Sequence, residues 1–158
     1  MHTDWQQFLW KHNATIENNC VTKYGDCAAE LIHTRTTTIM TDLSHQSLIS
    51  FSGEDAQTFL QNQLSCDVNE VHATQAQYGS YCSAKGRMLA SFLLWQKDDS
   101  FLMSLPADLC PSILKRLSLF VLRAKVQLAD CSNQWIRLGL SGDDAGEIAE
   151  EILGTKLN

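Results

Sequence analysis

Residues 48–68, LISFSGEDAQTFLQNQLSCDV, decide the fold, because they predict a strand, a tight turn and a helix in succession. Ile49 and Phe51 alternate with serines, which is the period of a strand with one buried face. Residues 52–55 then supply an N-cap hydroxyl from Ser52, a flexible glycine and carboxylates for the first turn of a helix. The apolar residues that follow have the spacing of one helix face: Ala56, Phe59, Leu60 and Leu64.

The same pattern returns 89 residues later in the chain. Leu138 and Leu140 repeat the strand, and residues 141–145 (SGDDA) repeat the turn. The second helix face consists of Ala145, Ile148, Ala149 and Leu153. Of the 16 aligned pairs from 49/138 to 64/153, 5 are identical: Ser, Gly, Asp, Ala and Leu. Two such units in one register indicate an internal repeat, although two ordinary capped units would look similar.

The remaining segments predict the other elements of an α+β domain. Residues 3–9 predict a short helix, residues 13–27 a mobile polar arm, and residues 28–41, rich in β-branched side chains, one or two strands. Residues 78–105 predict an antiparallel meander, in which residues 88–95 form a central strand buried on both faces. A helix over residues 106–120 and strands over residues 124–129 and 135–140 complete the chain.

We therefore expect an α+β fold with a mixed, largely antiparallel sheet, helices on one side, and two related strand–turn–helix units. The predicted organisation is an N-terminal helix and polar arm over residues 1–27, followed by a single α+β domain over residues 28–158. Because the chain stops directly after the second helix, we also expect a fragment of a longer protein.

Composition excludes several functional classes. The net charge of −6 argues against non-specific binding to nucleic acid or to anionic membranes, although local basic patches remain possible. The longest nearly apolar run, residues 88–95, is far shorter than the ~20 residues of a membrane-spanning helix. The N-terminus carries no signal peptide pattern. These features predict a cytoplasmic protein with no membrane partner and no direct nucleic-acid partner.

The six cysteines predict free thiols rather than a metal site. They lie at positions 20, 27, 66, 82, 110 and 131, with no C-x-x-C and no zinc-ligand spacing. A reducing cytoplasm would keep them as thiols. A disulfide between Cys20 and Cys27 is the alternative that the spacing permits.

No nucleophile, P-loop, dinucleotide or metal-ligand motif occurs in the sequence. The acidic pairs at 54–55 and 143–144 resemble paired catalytic carboxylates. Their place in the first turn of a helix explains them without catalysis. The five histidines lie singly in polar surroundings, which favours surface roles.

One turn has the chemistry of a binding site. Lys85, Gly86 and Arg87 place two cations around a glycine, and such a turn can hold a carboxylate or a phosphate. Trp95, at the far end of the following strand, offers a ring on which a flat heterocycle can stack. The competing interpretation is a solvated basic hairpin turn beside a core tryptophan.

Three segments resemble one known family: residues 51–68 (FSGEDAQTFLQNQLSCDV), 84–95 (AKGRMLASFLLW) and 114–128 (LKRLSLFVLRAKVQL). In this order they are similar to the N-terminal region of the YgfZ proteins, relatives of the glycine-cleavage T-protein, GcvT. The family pattern runs G-x-D-A-x-x-F-L-Q-x-Q-L-x-x-D-V, then K-G-R/K, then a helix leading to an R-A/S-K-V strand. The resemblance extends over about residues 40 to 155.

The resemblance implies a tetrahydrofolate-binding fold with a central cavity. It also implies a role in maintaining iron–sulfur enzymes, including one that methylthiolates tRNA, so folate and iron–sulfur enzymes or assembly factors are the implied partners. The implied cofactor-binding residues offer cations for the glutamate tail of folate and an apolar wall for its pterin ring: Lys85, Gly86, Arg87, Ser91, Leu93 and Trp95.

The chain departs from the family pattern at three places. Aminomethyltransferases carry an acidic pair on the strand after the glycine turn, where this chain has Ala90 and Ser91. Neither side chain can act as a base, so aminomethyl transfer is not expected. Some YgfZ proteins have a folate-contacting tryptophan at the position of Gln46. The signature K-G-C-Y-x-G-Q-E, which normally falls much later, is absent from these residues.

Three functions follow as alternatives. The first is a folate-binding YgfZ-like protein that supports iron–sulfur enzymes, which the three matching segments and Ala90-Ser91 favour. The second is an aminomethyltransferase-like one-carbon transferase with its acid elsewhere. The third is a non-enzymatic assembly module whose vestigial pocket is filled by its own side chains.

Overall fold

A computed structural model describes residues 2–157 of the chain. The chain folds as two compact units, one of Gln46–Gln134 and one that combines the residues before Gln46 with those after Gln134. We call them the central unit and the terminal unit. The predicted boundary between residues 27 and 28 lies inside a helix of the terminal unit, and the predicted 28–158 domain includes parts of both units. That predicted division stays a prediction.

The helices and strands follow in chain order as α1 (Thr3–Lys11), β1 (Thr15–Glu17), β2 (Cys20–Lys23), α2 (Cys27–Thr36), β3 (Ile39–Asp42), β4 (Gln46–Ser52), α3 (Ala56–Gln63), β5 (Gln77–Cys82), β6 (Met88–Lys97), β7 (Ser100–Pro106), α4 (Cys110–Ser118), β8 (Gln127–Asp130), β9 (Leu138–Ser141) and α5 (Ala145–Leu153). Every strand pair in residues 2–157 is antiparallel, so the sheets are not mixed. The α+β class is confirmed.

In the terminal unit, residues 15–23 form an antiparallel hairpin, where the sequence predicted an irregular polar arm. Strands β1 and β2 pair up to Glu17 and Cys20, which leaves a two-residue turn. That turn consists of Asn18 and Asn19, at φ 51° and 62°. Asparagine tolerates left-handed backbone better than most residues, and two such residues in succession match the twist of a hairpin. The polar composition therefore encoded a turn.

The first part of residues 28–41 is helical, which corrects the prediction of strands there. Asp26 caps α2 by accepting a hydrogen bond from the backbone N–H of Ala28 at 2.9 Å. Glu30 accepts one from the N–H of Tyr24 at 2.7 Å, which ties the start of the helix to the preceding segment. These end interactions outweigh the weak strand preference of the β-branched residues. The predicted strand is real only from Ile39, where β3 pairs with β9.

In the central unit, five strands form one sheet in the order β5-β6-β7-β4-β8. The predicted meander over residues 78–105 is confirmed as β5, β6 and β7. However, β7 and not β6 lies at the centre. Strand β6 is also not buried on both faces, because burial alternates along it: Ala90, Phe92 and Leu94 are buried and Ser91 is exposed.

The core of the central unit lies between one face of this sheet and two helices. Strands β4 and β7 each contribute two fully buried side chains to this core: Ile49 and Phe51 from β4, and Met103 and Leu105 from β7. Helices α3 and α4 contribute Phe59, Leu60, Ile113 and Leu117 to the same cluster. The predicted placement of helices on one side is therefore found in this unit. Because both helices pack on the core face, they leave the opposite face of the sheet uncovered, and we call that opposite face the open face.

Both predicted strand–turn–helix units are present, but the turn does not cap its helix. The residue before α3 is Asp55, and it makes no side-chain cap hydrogen bond, so the predicted Ser52 cap is wrong. Asp55 instead accepts a hydrogen bond from the backbone N–H of Lys125 at 2.7 Å. In the second unit the N–H of Asp144 donates to the hydroxyl of Thr38 at 3.1 Å. The first turn thus holds Lys125, which precedes β8, the partner of β4. The second turn holds Thr38, which precedes β3, the partner of β9.

Six free cysteines are present, so Cys20 and Cys27 form no disulfide. Within residues 2–157, no group of three His, Cys, Asp or Glu side chains could hold a metal ion. None of the helices in that range is long and apolar enough to cross a membrane.

Two thiols make the free energy of unfolding depend on pH in the alkaline range. Burial raises the pKa of Cys66 and of Cys110 above the ordinary value. Because the folded state holds these protons more tightly, their contribution to stability is complete below about pH 9 and is lost as the pH rises above it. We expect the free energy of unfolding in urea to fall as the pH rises above about 9. The double variant Cys66→Ala/Cys110→Ala should show a smaller fall, and an equal fall would contradict this assignment.

Candidate functional site

A cavity of about 320 Å³ lies on the open face of the central unit. It is lined by side chains from four strands, β4 to β7, and by the backbone around them: Gln46, Tyr78, Ser91, Phe92, Leu93, Ser104 and Pro106. Its volume is at the lower end of the range of small-molecule sites, about 300–1,000 Å³.

The register of the sheet brings these residues together. Tyr78 pairs with Leu93, and Leu93 pairs with Ser104, so three neighbouring strands place these side chains in one row. Gln46 pairs with Pro106 at the end of β4. Side chains two apart on a strand share a face, so Ser91 lies beside Leu93 on the open face.

The lining combines neutral hydrogen-bonding groups with apolar surface. The polar groups are the hydroxyls of Tyr78, Ser91 and Ser104 and the amide of Gln46. Leu93 and Pro106 supply apolar contact, and Tyr78 is 83% exposed, so its ring is available to a ligand. Such a lining suits a flat, uncharged heterocycle with donors and acceptors on its edge.

Of the two positions predicted to replace the acidic pair, only one faces the cavity. Ala90 is 4% exposed and belongs to the core between the sheet and the helices. Ser91 is exposed and lines the cavity. The cavity lining within the described residues contains no carboxylate.

Trp95 lies on the open face but does not line the cavity. It pairs with Leu102 and packs against the small cluster of Leu48, Leu102 and Cys131. Its position two residues beyond Leu93 places it in the next cross-strand row of the same face, beside Leu102.

The turn of Lys85, Gly86 and Arg87 is the β5–β6 hairpin loop, and its three residues are exposed. Gly86, at φ +75°, donates its N–H to the carbonyl of Ser83 at 2.8 Å. Neither Lys85 nor Arg87 forms a salt bridge within residues 2–157. Arg87 is four residues from Ser91 along the strand, about 13 Å at ~3.3 Å per residue. The turn therefore lies outside the cavity but at the same end of β6 as Ser91.

The family resemblance implied Ser91 and Leu93 as binding residues, and both line this cavity, but it did not imply Tyr78, Ser104 and Pro106. Tyr78 and Ser104 lie on predicted strands, whereas Pro106 was predicted to begin a helix and instead ends β7. The neighbours of all three across the sheet depend on strand order and register. The one sequence pattern that could have indicated Tyr78 and Ser104 was the period of two in β5 and β7, which places both on the sheet face opposite the buried side chains.

A larger cavity of about 610 Å³ lies in the terminal unit and contains none of the predicted site residues. Trp5, Tyr24 and Asp42 are among the residues that line it. The carboxylate of Asp42 accepts hydrogen bonds from the indole N–H of Trp5 at 2.7 Å and from the backbone N–H of Ser44 at 2.8 Å. These bonds give Asp42 a structural role in fixing α1 on β3.

Comparison with known proteins decides the family. The model of the GCVT N-terminal domain matches residues 7–158, nearly the whole chain. The chain belongs to the GCVT N-terminal domain family. The resemblance to YgfZ and GcvT drawn from its three segments is thereby confirmed.

Curated members of the family include proteins named for tRNA modification. The chain is 31% identical over 114 residues to the "tRNA-modifying protein YgfZ" of Colwellia psychrerythraea, which covers 72% of this chain and 35% of that protein. It is 31% identical over 110 residues to the protein of that name in Vibrio vulnificus, covering 70% and 33%. An aminomethyltransferase of Rubrobacter xylanophilus is 25% identical over 136 residues, covering 86% and 37%. The chain thus spans about a third of the length of these relatives.

The fold of this GCVT N-terminal domain is also found in a solved structure. The crystal structure of glycine cleavage system aminomethyltransferase T from Bartonella henselae matches with a TM-score of 0.81. The match covers 100% of this chain and 45% of that one, at 20% identity. The similarity establishes the fold.

Proposed function

We propose that this chain forms part of a tetrahydrofolate-binding YgfZ-like protein that supports tRNA modification by maintaining iron–sulfur enzymes. The observation that carries the folate part is the neutral cavity on the open face, which contains two of the residues implied by the family resemblance, Ser91 and Leu93. The support for the tRNA part is the name of the curated relatives.

The lining residues fit a pterin ring in both polarity and size. Leu93 and Pro106 offer apolar contact for the ring faces, and Tyr78 offers an exposed aromatic ring. Gln46, Ser91 and Ser104 can donate to and accept from the ring edge. When bound, tetrahydrofolate supplies a reduced pterin that can carry a one-carbon unit. The protein residues bind and orient it.

The same lining favours binding over aminomethyl transfer. A transferase needs a group near the reacting folate nitrogen that accepts a proton or stabilises positive charge. Ser91 offers a hydroxyl at the position that faces the cavity, and Ala90 is in the core. We therefore place the chain with folate-binding proteins that do not catalyse this transfer.

Calorimetric titration of the chain with tetrahydrofolate tests the proposal. We expect saturable 1:1 binding with a dissociation constant on the order of 10–100 µM, because the cavity is shallow and open. p-Aminobenzoylglutamate, which lacks the pterin ring, is the matched control and should bind at least about tenfold more weakly. Absence of saturable binding up to about 1 mM would exclude the folate claim.

The tRNA part needs a test in the cell. Deletion of the gene that encodes the chain should lower the fraction of methylthiolated tRNA nucleosides, measured by mass spectrometry of total tRNA. Restoring the gene should restore that fraction. An unchanged fraction in the deletion strain would contradict the link to iron–sulfur enzymes.

The hairpin turn gives a prediction about the folate tail. In Lys85→Glu/Arg87→Glu, tetrahydrofolate with a polyglutamate tail should bind about 5–20-fold more weakly, while a tail-less tetrahydropterin should lose less than about twofold. The effect is modest because both cations are exposed and screened by solvent. Titration at low and high salt measures it. Equal losses for the two ligands would show that the turn does not hold the tail.

A further inference from the structure

Strand β9 of the terminal unit lacks the cover that its counterpart in the repeat has in the central unit. The repeat aligns β9 with β4 and α5 with α3, at an offset of 89 residues. Leu138 and Leu140 thereby align with Ile49 and Phe51, which are fully buried. Leu138 is instead 44% exposed, and Leu140 is only partly buried. Equivalent positions of the repeat are therefore buried in one unit and open in the other.

Helix α5 shows the same difference from α3. Ala56, Phe59 and Leu60 of α3 are buried, whereas no residue of α5 is buried. Yet α5 is amphipathic, with acidic Glu147 and Glu151 opposite an apolar side. That apolar side consists of Ala145, Ile148, Ala149 and Ile152. Its last member, Ile152, is 70% exposed, so the side of α5 that has the composition of a core helix is left open within residues 2–157.

In the central unit the cover comes from the β5–β6–β7 meander. Strand β4 lies between β8 and β7, and β7 is the last strand of that meander. The meander contributes side chains to the core cluster that buries β4 and α3: Tyr81, Phe92, Leu94, Met103 and Leu105. In the terminal unit β9 pairs with β3, the counterpart of β8, and with no other strand of residues 2–157. The part of the repeat that is missing from this unit is the counterpart of the meander.

The backbone of β9 is oriented to accept one more strand. The N–H of Leu43 donates to the carbonyl of Arg137 at 3.0 Å, and hydrogen-bonded pairs alternate along an antiparallel ladder. Gly139 therefore bonds to β3, whereas the N–H and C=O groups of Leu138 and Leu140 point to the other edge of β9. That edge carries no strand within residues 2–157, so it is a template for antiparallel pairing.

We propose that a β-meander in the rest of the polypeptide covers this edge of β9 and the apolar side of α5, with one strand antiparallel to β9. In the central unit the meander follows α3 in the chain, so the covering segment follows α5. Alternate residues of its pairing strand are apolar, because one face of that strand lies beside Leu138 and Leu140. The cover does not depend on folate, since the candidate cavity lies in the other unit.

Two observations favour the rest of the polypeptide over a second copy as the source of this segment. The chain spans about a third of the length of its curated relatives, which leaves ample sequence for a meander. In a second copy, β5, β6 and β7 are already paired with one another and with β4. A segment of the same polypeptide also avoids the translational and rotational entropy loss of association.

Backbone hydrogen exchange in the complete protein, measured by NMR, tests the pairing of β9. The N–H groups of Leu138 and Leu140 should be protected to within about tenfold of those of Ile49 and Phe51, which point to β7. Exchange of Leu138 and Leu140 at the rate of an open strand edge would overturn the proposal. A reading frame that ends at residue 158 would overturn it as well.

Photo-cross-linking in the complete protein identifies the covering segment. Ile152→p-benzoylphenylalanine should form a cross-link within one molecule to a peptide beyond residue 158, identified by mass spectrometry. Glu147→p-benzoylphenylalanine places the same group on the opposite side of α5 and should give that cross-link in at least about fivefold lower yield. Equal yields would overturn the proposal. A cross-link from Ile152→p-benzoylphenylalanine to residues 1–158 of another molecule would overturn it in favour of a second copy.

Urea unfolding of the complete protein provides a third test. Ile152→Lys should lower the urea midpoint by at least about 1 M, because the proposed cover buries that side chain. Without a cover, a lysine at a position that is 70% exposed would change the midpoint little. Glu151→Lys is the matched control on the acidic side and should shift the midpoint by less than about 0.3 M. Equal midpoints for the two variants would overturn the proposal.

Discussion

Gly53→Ala should lower the free energy of unfolding of the central unit by about 3–5 kcal/mol. Gly53 has φ +115°, a region that residues with a Cβ rarely adopt. A Cβ there would lie 2.2 Å from the carbonyl oxygen of Lys125, so the chain would have to move away from the turn. That movement would also break the hydrogen bond from the Lys125 N–H to Asp55. Urea unfolding followed by circular dichroism measures the loss.

Two other glycines make this prediction specific. Gly86→Ala should cost only about 1 kcal/mol, because φ is +75° but nothing lies within 4 Å of the added Cβ. Gly142 occupies the equivalent turn of the second strand–turn–helix unit, at φ +131°, and a Cβ there would lie 2.5 Å from the Cα of Thr38. Gly142→Ala should therefore behave like Gly53→Ala. If Gly53→Ala and Gly86→Ala lost equal stability, close approach of the backbone would not be the reason for the glycine in this turn.

Ser104→Trp should weaken tetrahydrofolate binding at least about 100-fold. Ser104 lines the cavity on the central strand of the sheet, so an indole there would occupy the space that the pterin ring needs. The side chain lies on the open face, opposite the packed core, so the fold should tolerate the larger residue. Calorimetric titration and urea unfolding of the same sample separate blocked binding from loss of structure.

Ser100→Trp is the matched control for this variant. Ser100 lies on the same strand and, four residues away, on the same face, but it does not line the cavity. It should retain tetrahydrofolate affinity to within about threefold. Undiminished binding by Ser104→Trp would show that folate does not enter this cavity, and loss of binding by both variants would point to a general effect of the added indole.

The sequence predicted elements best where a periodic pattern ended in clear turn chemistry. Residues 48–68 gave β4 and α3, and the apolar run before Trp95 gave β6. The sequence predictions were wrong where polar residues determined the local structure. Asn18 and Asn19 form a hairpin turn, and Asp26 and Glu30 start a helix inside a β-branched run. In both places, local hydrogen bonds and backbone preferences outweighed average propensities.

The turns of the repeat show a second limit of sequence reasoning. Ser-Gly-Glu-Asp and Ser-Gly-Asp-Asp have the composition of a helix start, and a helix follows each of them. Their glycines are needed because another segment of backbone lies against them, Lys125 in one unit and Thr38 in the other. Those segments are 72 and 104 residues away in the chain, so no local pattern contains this information.

The sequence by itself determined the family and the α+β class, because these depend on motifs and on the local periods of helices and strands. It did not predict the alternation that sends Ser91 and Leu93 to the open face of β6, because the apolar run indicated a strand buried on both faces. Only the tertiary structure decided which side chains surround them. Tyr78, Gln46 and Ser104 reach the same cavity through strand order and register, and Lys85 and Arg87 lie outside it on a hairpin loop. Strand order and register follow from contacts between distant segments, and those contacts form only when the whole sheet packs on its helices.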